Sequence, residues 1–124
     1  MSLRPMRAVL IAAAGTVALL FSASSALAHA HLESSVPAAE AVVASPSMIT
    51  LHFTEALELR FSGFEITDAR GARVNALSSA DPNNPAVLMA TPAAALSPGV
   101  YHVTWHIVAH DGHRMRGAYD FTVH

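Results

Sequence analysis

Two short stretches of this 124-residue chain carry nitrogen and oxygen donors in patterns suited to a metal ion: His29-Ala30-His31, and Asp111-Gly112-His113. The first gains its meaning from what precedes it. Arg4 and Arg7 are followed by an apolar run from Ala8 to Phe21 and then by small residues ending in Ala26-Leu27-Ala28. That is the order of a secretory signal peptide, so cleavage is expected after Ala28, leaving residues 29–124 as the mature protein. The apolar run falls short of the roughly 20 residues that a bilayer-spanning helix needs, so no membrane insertion is expected after cleavage. His29 then becomes the first residue and offers a free α-amine and an imidazole together. These groups ordinarily titrate near about 7.7–8.0 and about 6.5, so both can yield their protons to a metal at neutral pH. Chelation by one residue through two nitrogens favours a tetragonal plane, the geometry of Cu(II), which also heads the divalent affinity order.

In the second stretch Gly112 permits a tight turn and leaves the Asp111 carboxylate and the His113 imidazole able to point at one place. The bland readings are an ordinary terminus for His29 and an ordinary surface turn for Asp111-Gly112-His113. His31 supplies a different option: a free His29-Ala30-His31 terminus can wrap Cu(II) through its amine, two deprotonated amides and the third-residue imidazole, with no folded domain required. His102 and His106 fall on the polar face of a strand and read as solvated or hydrogen-bonded histidines, as do His52, His110 and His124. His110, beside the turn, is placed to tune or compete for a metal.

Composition narrows the function classes. Setting Arg4 and Arg7 aside leaves five arginines against nine Asp plus Glu, a formal net charge of −4 for the mature part. Nothing there would neutralise phosphates, and nucleic acid is not an expected partner. The chain has no cysteine, so it offers neither disulfides nor thiolates for a soft metal. All eight histidines follow the signal peptide, a density that invites a metal reading.

The elements that must position these donors are strands. Leu51 and Phe53 alternate with Thr50, His52 and Thr54. Tyr101, Val103, Trp105 and Ile107 alternate with His102, Thr104 and His106, and Tyr119, Phe121 and Val123 with Asp120, Thr122 and His124. A period of two puts one set inward and the other toward solvent. The last two segments are expected to pair antiparallel around a long connection holding Asp111-Gly112. Weaker strands are expected near Leu32–Val36, Phe61–Thr67, Ala72–Val74 and Val87–Ala90, the last being the one strand placed within the Ala-, Ser- and Pro-rich stretch 76–98. About seven short strands in one domain predict an all-β, Greek-key β-sandwich. Tyr101, Trp105, Phe121 and Phe53 are expected in its core.

The chain resembles the CopC copper-resistance family. The resemblance is carried by His29-Ala30-His31-Leu32-Glu33-Ser34-Ser35-Val36-Pro37, Leu51-His52-Phe53-Thr54-Glu55-Ala56-Leu57 and Phe61-Ser62-Gly63. It continues through Pro98-Gly99-Val100-Tyr101-His102-Val103-Thr104-Trp105, Asp111-Gly112-His113 and Gly117-Ala118-Tyr119-Asp120-Phe121-Thr122-Val123. It implies an immunoglobulin-like or cupredoxin-like sandwich and one Cu(II) per mature chain. The implied ligands are His29 through amine and imidazole, Asp111 through its carboxylate and His113 through its imidazole, with Glu55 at a nearby acidic position. It further implies a periplasmic, monomeric copper carrier that serves copper buffering, resistance or delivery to a CopD-like inner-membrane importer. Two departures stand out. The region after Phe64 has only Met89, with Met48 and Met115 elsewhere, against the methionine-rich Cu(I) loop of some members. Arg114-Met115-Arg116 replaces a Pro-containing continuation after His113. No catalysis is expected, although a histidine-brace copper oxidoreductase is the alternative among enzymes and a metal-free immunoglobulin-like interaction module the alternative among binding domains.

Overall fold

The computed structural model describes Ser2 and residues 30–124. The rest of the expected signal peptide, and His29, lie outside the described residues. Eight strands follow in order: β1 (Leu32–Val36), β2 (Val42–Val43), β3 (Ile49–Phe53), β4 (Gly63–Asp68), β5 (Ala76–Asp81), β6 (Asn84–Pro92), β7 (Gly99–Val108) and β8 (Arg114–Val123). A single 3-10 turn, Leu59–Phe61, precedes β4. The strands form two four-stranded sheets, β1-β3-β6-β5 and β2-β8-β7-β4. All pairings are antiparallel except β2 against β8, which is parallel. The all-β sandwich expected from the alternation is therefore the fold. Among the described residues no helix is long and apolar enough to cross a membrane.

The core forms where the inward faces of the two sheets meet. Ile49, Leu51 and Phe53 of β3 face Tyr101, Val103, Trp105 and Ile107 of β7 and Phe121 of β8, all buried. Phe121 is fully enclosed, a burial that stabilises the fold by about 1.5–3 kcal/mol. Trp105 meets Phe53 edge to face, with ring centroids 5.2 Å apart at 74°, an arrangement that adds about 0.5–1.5 kcal/mol beyond area burial. Its cross-strand partner on β8 is Gly117. The indole lies directly over that glycine, and a Cβ there would stand 2.7 Å from Trp105 Cε2. Tyr101 stacks on Phe121 at 5.5 Å, and its hydroxyl donates to the Ser97 carbonyl at 2.6 Å, tying the start of β7 to the loop before it.

Several expectations change. Ala72–Val74 is not a strand: the Asp68 carboxylate accepts from the Arg70 and Ala72 amides and closes a tight turn there. Arg73 makes only an isolated bridge to Thr67. The strand that follows, β5, lies in the stretch where only Val87–Ala90 was expected. Its alternation is hidden because Leu77 points to solvent and four of its six residues are exposed, so pairing with β6 holds it in place. β6 itself is longer than expected, and β2 is an added short strand on the edge of the second sheet. The expected strand from Phe61 begins at Gly63, because Leu59–Phe61 turns as 3-10 helix. The connection between β7 and β8 is short, since pairing runs out to Val108 and Arg114.

Gly117→Ala is expected to destabilise the protein by about 2 kcal/mol through the forced displacement of Trp105, measurable by chemical denaturation followed through this single tryptophan. A second expectation concerns Tyr119, whose buried hydroxyl has no hydrogen-bond partner among the described residues. Burial pushes its pKa above the ordinary 10.0, and the Ser35 side chain on β1 opposes the shift only in part, without closing a well-formed hydrogen bond. The unfolded chain ionises first, so this contribution to stability is complete below about pH 10 and is lost as pH rises through the raised folded value. Tyr119→Phe is expected to flatten the alkaline limb of a stability-versus-pH curve; an unchanged limb would show that other groups govern it.

Candidate metal centre

The antiparallel ladders bring distant parts of the chain to one end of the sandwich. Leu32, at the start of β1, pairs with Phe53 at the end of β3. Just beyond, the His31 amide donates to Thr54 Oγ1 at 3.1 Å, and the His31 carbonyl accepts from the Thr54 amide at 3.0 Å. Ala30 is fully buried within the core cluster that also holds Leu57 and Ala109. The segment after Thr54 then crosses to the second sheet: Leu57 bridges Ala109, the His110 amide donates to the Ala56 carbonyl at 2.9 Å and the Glu58 amide to the Val108 carbonyl at 2.8 Å. Glu55 lies on this crossing, between the residue that holds His31 and the one that holds His110.

The Asp111-Gly112-His113 turn closes the β7–β8 hairpin at this same end. Two backbone bonds of 2.8 Å shape it, from the Gly112 amide to the Ala109 carbonyl and from the Ala109 amide to the His113 carbonyl. Gly112 has φ +90°, a left-handed conformation that side-chain-bearing residues adopt only with strain. One carboxylate oxygen of Asp111 accepts from the His113 amide at 3.0 Å. The other is 2.8 Å from His113 Nδ1. Both side chains are about half exposed, at 49% and 52%. The turn therefore presents one carboxylate and one imidazole at a single point facing solvent, with their orientation set by backbone bonds.

Of the expected site residues, the structure brings Asp111 and His113 together. It places His31 and Glu55 at the same end and leaves His29 outside the described residues. No group of three or more His, Asp or Glu side chains able to hold a metal occurs among the described residues. The terminal wrap through His31 meets two obstacles in this fold. It would take the amide nitrogens of Ala30 and His31 as ligands, yet Ala30 is buried in the core and the His31 amide is engaged by Thr54. A pairing that sequence reasoning did not find joins His110 Nδ1 to Glu58 Oε1 at 3.1 Å. The two residues are 52 positions apart and meet only because the crossing segment folds back on β7. His102 is paired as well, its Nδ1 lying 2.6 Å from Asp120 Oδ1 across β7 and β8.

Comparison with known proteins agrees with this architecture. The chain is 42% identical over 98 residues to protein YobA of Escherichia coli K12, covering 77% of this chain and 79% of that protein. It is 37% identical over 108 residues to copper resistance protein C of Escherichia coli, covering 82% and 86%. The crystal structure of PcoC, a methionine-rich copper resistance protein from Escherichia coli, superposes with a TM-score of 0.72 at 36% identity, over 77% of this chain and 99% of that one. The CopC domain profile matches residues 32–124, from the first strand to the last residue. With sandwich, sequence and profile in agreement, the chain belongs to the CopC family.

Proposed function

We propose that this protein is a periplasmic copper carrier that binds one Cu(II) per chain once its leader is removed after Ala28, and that it performs no catalysis. The proposed ligands are the α-amine and imidazole of His29, the Asp111 carboxylate and the His113 imidazole. The observation that carries the reading is the burial of Ala30 at the end of the sandwich where the Asp111 and His113 side chains stand 2.8 Å apart. His29 is joined directly to Ala30, so the two added donors belong to the residue next to that anchor. The donor set is all nitrogen and carboxylate oxygen, which suits Cu(II) better than Cu(I). Relatives named copper resistance protein C support copper as the cargo. Delivery to a CopD-like inner-membrane protein, by a monomeric carrier, is the role implied by membership of this family.

PcoC is described as methionine-rich. Here only three methionines lie outside the leader: Met89 on β6, Met48 just before the neighbouring strand β3, and Met115 on β8 in the opposite sheet. That distribution supports a carrier without a thioether Cu(I) site. An oxidoreductase reading gains no specific support, because the Asp111 carboxylate would occupy a coordination position that oxygen chemistry requires open.

Copper titration of protein with a verified His29 terminus, followed by electron paramagnetic resonance, tests the ligand set. His113→Ala is expected to change the Cu(II) spectrum and to lower affinity by more than the roughly 10–100-fold typical of outer-shell changes, whereas His31→Ala leaves the spectrum unaltered. A spectrum that responds only to His31→Ala would replace the proposed site with the terminal wrap. Affinity is expected to fall as pH drops and the ligating nitrogens take up protons. In the uncleaved precursor the nitrogen of His29 is an amide and a poor donor, so the precursor should bind Cu(II) more weakly than the mature form. Equal affinities measured by competition with a chelator would remove the α-amine from the ligand set.

A further inference from the structure

Two of the five arginines beyond the leader, Arg114 and Arg116, stand on the outer face of the second sheet beside the candidate metal centre, and a third, Arg60, lies on the 3-10 turn whose Phe61 shares a groove with them. Arg114 and Arg116 alternate on β8 and so share a face. Their cross-strand neighbours on β7 are Val108 and His106. The His106 ring lies near Gly63 on β4, where a Cβ would come within 3.5 Å of it. Phe61 closes one side of this surface and is 59% exposed, with the Arg60 guanidinium 5.7 Å from its ring centroid. Phe61, His106, Val108, Arg114 and Arg116 line, with Ile107 and Met115, an open groove of about 380 Å3 that has no carboxylate in its lining. The neighbouring acids are engaged elsewhere, Glu58 with His110 and Asp111 with His113. Arg114 and Arg116 have no carboxylate partner among the described residues, whereas Arg73 is paired with Glu65.

We propose that this groove docks an extended acidic segment of a partner protein, with its carboxylates on Arg114 and Arg116 and an apolar side chain against Phe61. Local charge complementarity is the argument. A domain of net charge −4 places two of its five arginines in one concave, partly aromatic surface with a third beside it, and Arg is the side chain best suited to bidentate capture of carboxylates. Two arginines at alternate strand positions stand about 7 Å apart, the same spacing as carboxylates at alternate positions of an extended segment. The concave shape and the overall negative charge favour a protruding protein segment over an anionic bilayer. Arg114 directly follows His113, so a docked segment lies beside the proposed copper ligands. The link to copper exchange rests on the proposed function, but docking itself can be measured without metal, and the two ideas fail separately.

The test is NMR shift mapping on the metal-free, processed protein, titrated with a capped peptide of alternating glutamate and serine ending in leucine. The expected shifts centre on Phe61, His106, Val108, Arg114 and Arg116. The double variant Arg114→Gln, Arg116→Gln is expected to weaken binding about tenfold at low salt while leaving the Cu(II) electron paramagnetic resonance spectrum unchanged, and Phe61→Ala, on an exposed side chain, to weaken binding to a smaller extent. Retention of peptide affinity in the double variant, or shifts spread away from the groove, would overturn the proposal. So would citrate binding as tightly as the peptide, which would mark a small-carboxylate site. Arginine-dependent binding to phosphatidylglycerol vesicles with none to the peptide would mark a lipid surface instead.

Discussion

The candidate metal centre depends on one constraint, the closure of the sandwich around Ala30. A residue that precedes the first strand is enclosed as completely as Phe121 or Ile49 in mid-strand. Backbone bonds from His31 to Thr54, the Leu57–Ala109 bridge and the bonds joining Ala56 to His110 and Glu58 to Val108 lead from that anchor to the β7–β8 turn. Residues some 80 positions apart are thereby held at one end by ladder geometry. Non-local pairing of this kind is entropically demanding to form, but once formed it fixes position to within the tolerance of packed side chains.

The same end shows how backbone bonds alone can orient two donor side chains. In the Asp111-Gly112-His113 turn, one carboxylate oxygen is spent on the His113 amide, which orients the group, and the second oxygen meets the imidazole. Gly112 allows the reversal, and Ala109 bonds across it. Donors held in this way lose little conformational freedom on binding, the general advantage of preorganisation.

Strands buried on one face were legible in the sequence because alternation is a direct trace of the pleat: β3, β7 and the second half of β8 could be read residue by residue. The first half of β8 could not, since Arg114, Arg116 and Ala118 are exposed and Gly117 leaves its inward place to the Trp105 ring. β5 was hidden for the opposite reason, as an edge strand whose one large apolar side chain, Leu77, faces solvent. At the site, the Asp111 and His113 pair was readable because both donors flank one glycine. The Glu58–His110 pair was not, because it depends on a crossing between sheets that leaves no local pattern. The groove between Phe61 and Arg116 likewise exists only after the 3-10 turn and the β7–β8 register are in place.

The complete enclosure of Ala30 also sets a rule of length. The methyl group of Ala30 is wholly enclosed, so a larger side chain brought to this position by a shift of register would have to displace its neighbours. With the leader removed after Ala28, as proposed, one residue would precede this anchor, and each residue more or less would displace the first nitrogen by up to about 3.3 Å. Under the proposed function, export processing would therefore be coupled to the candidate metal centre through chain length, because a cut one residue away would shift the terminal amine relative to the Ala30 anchor.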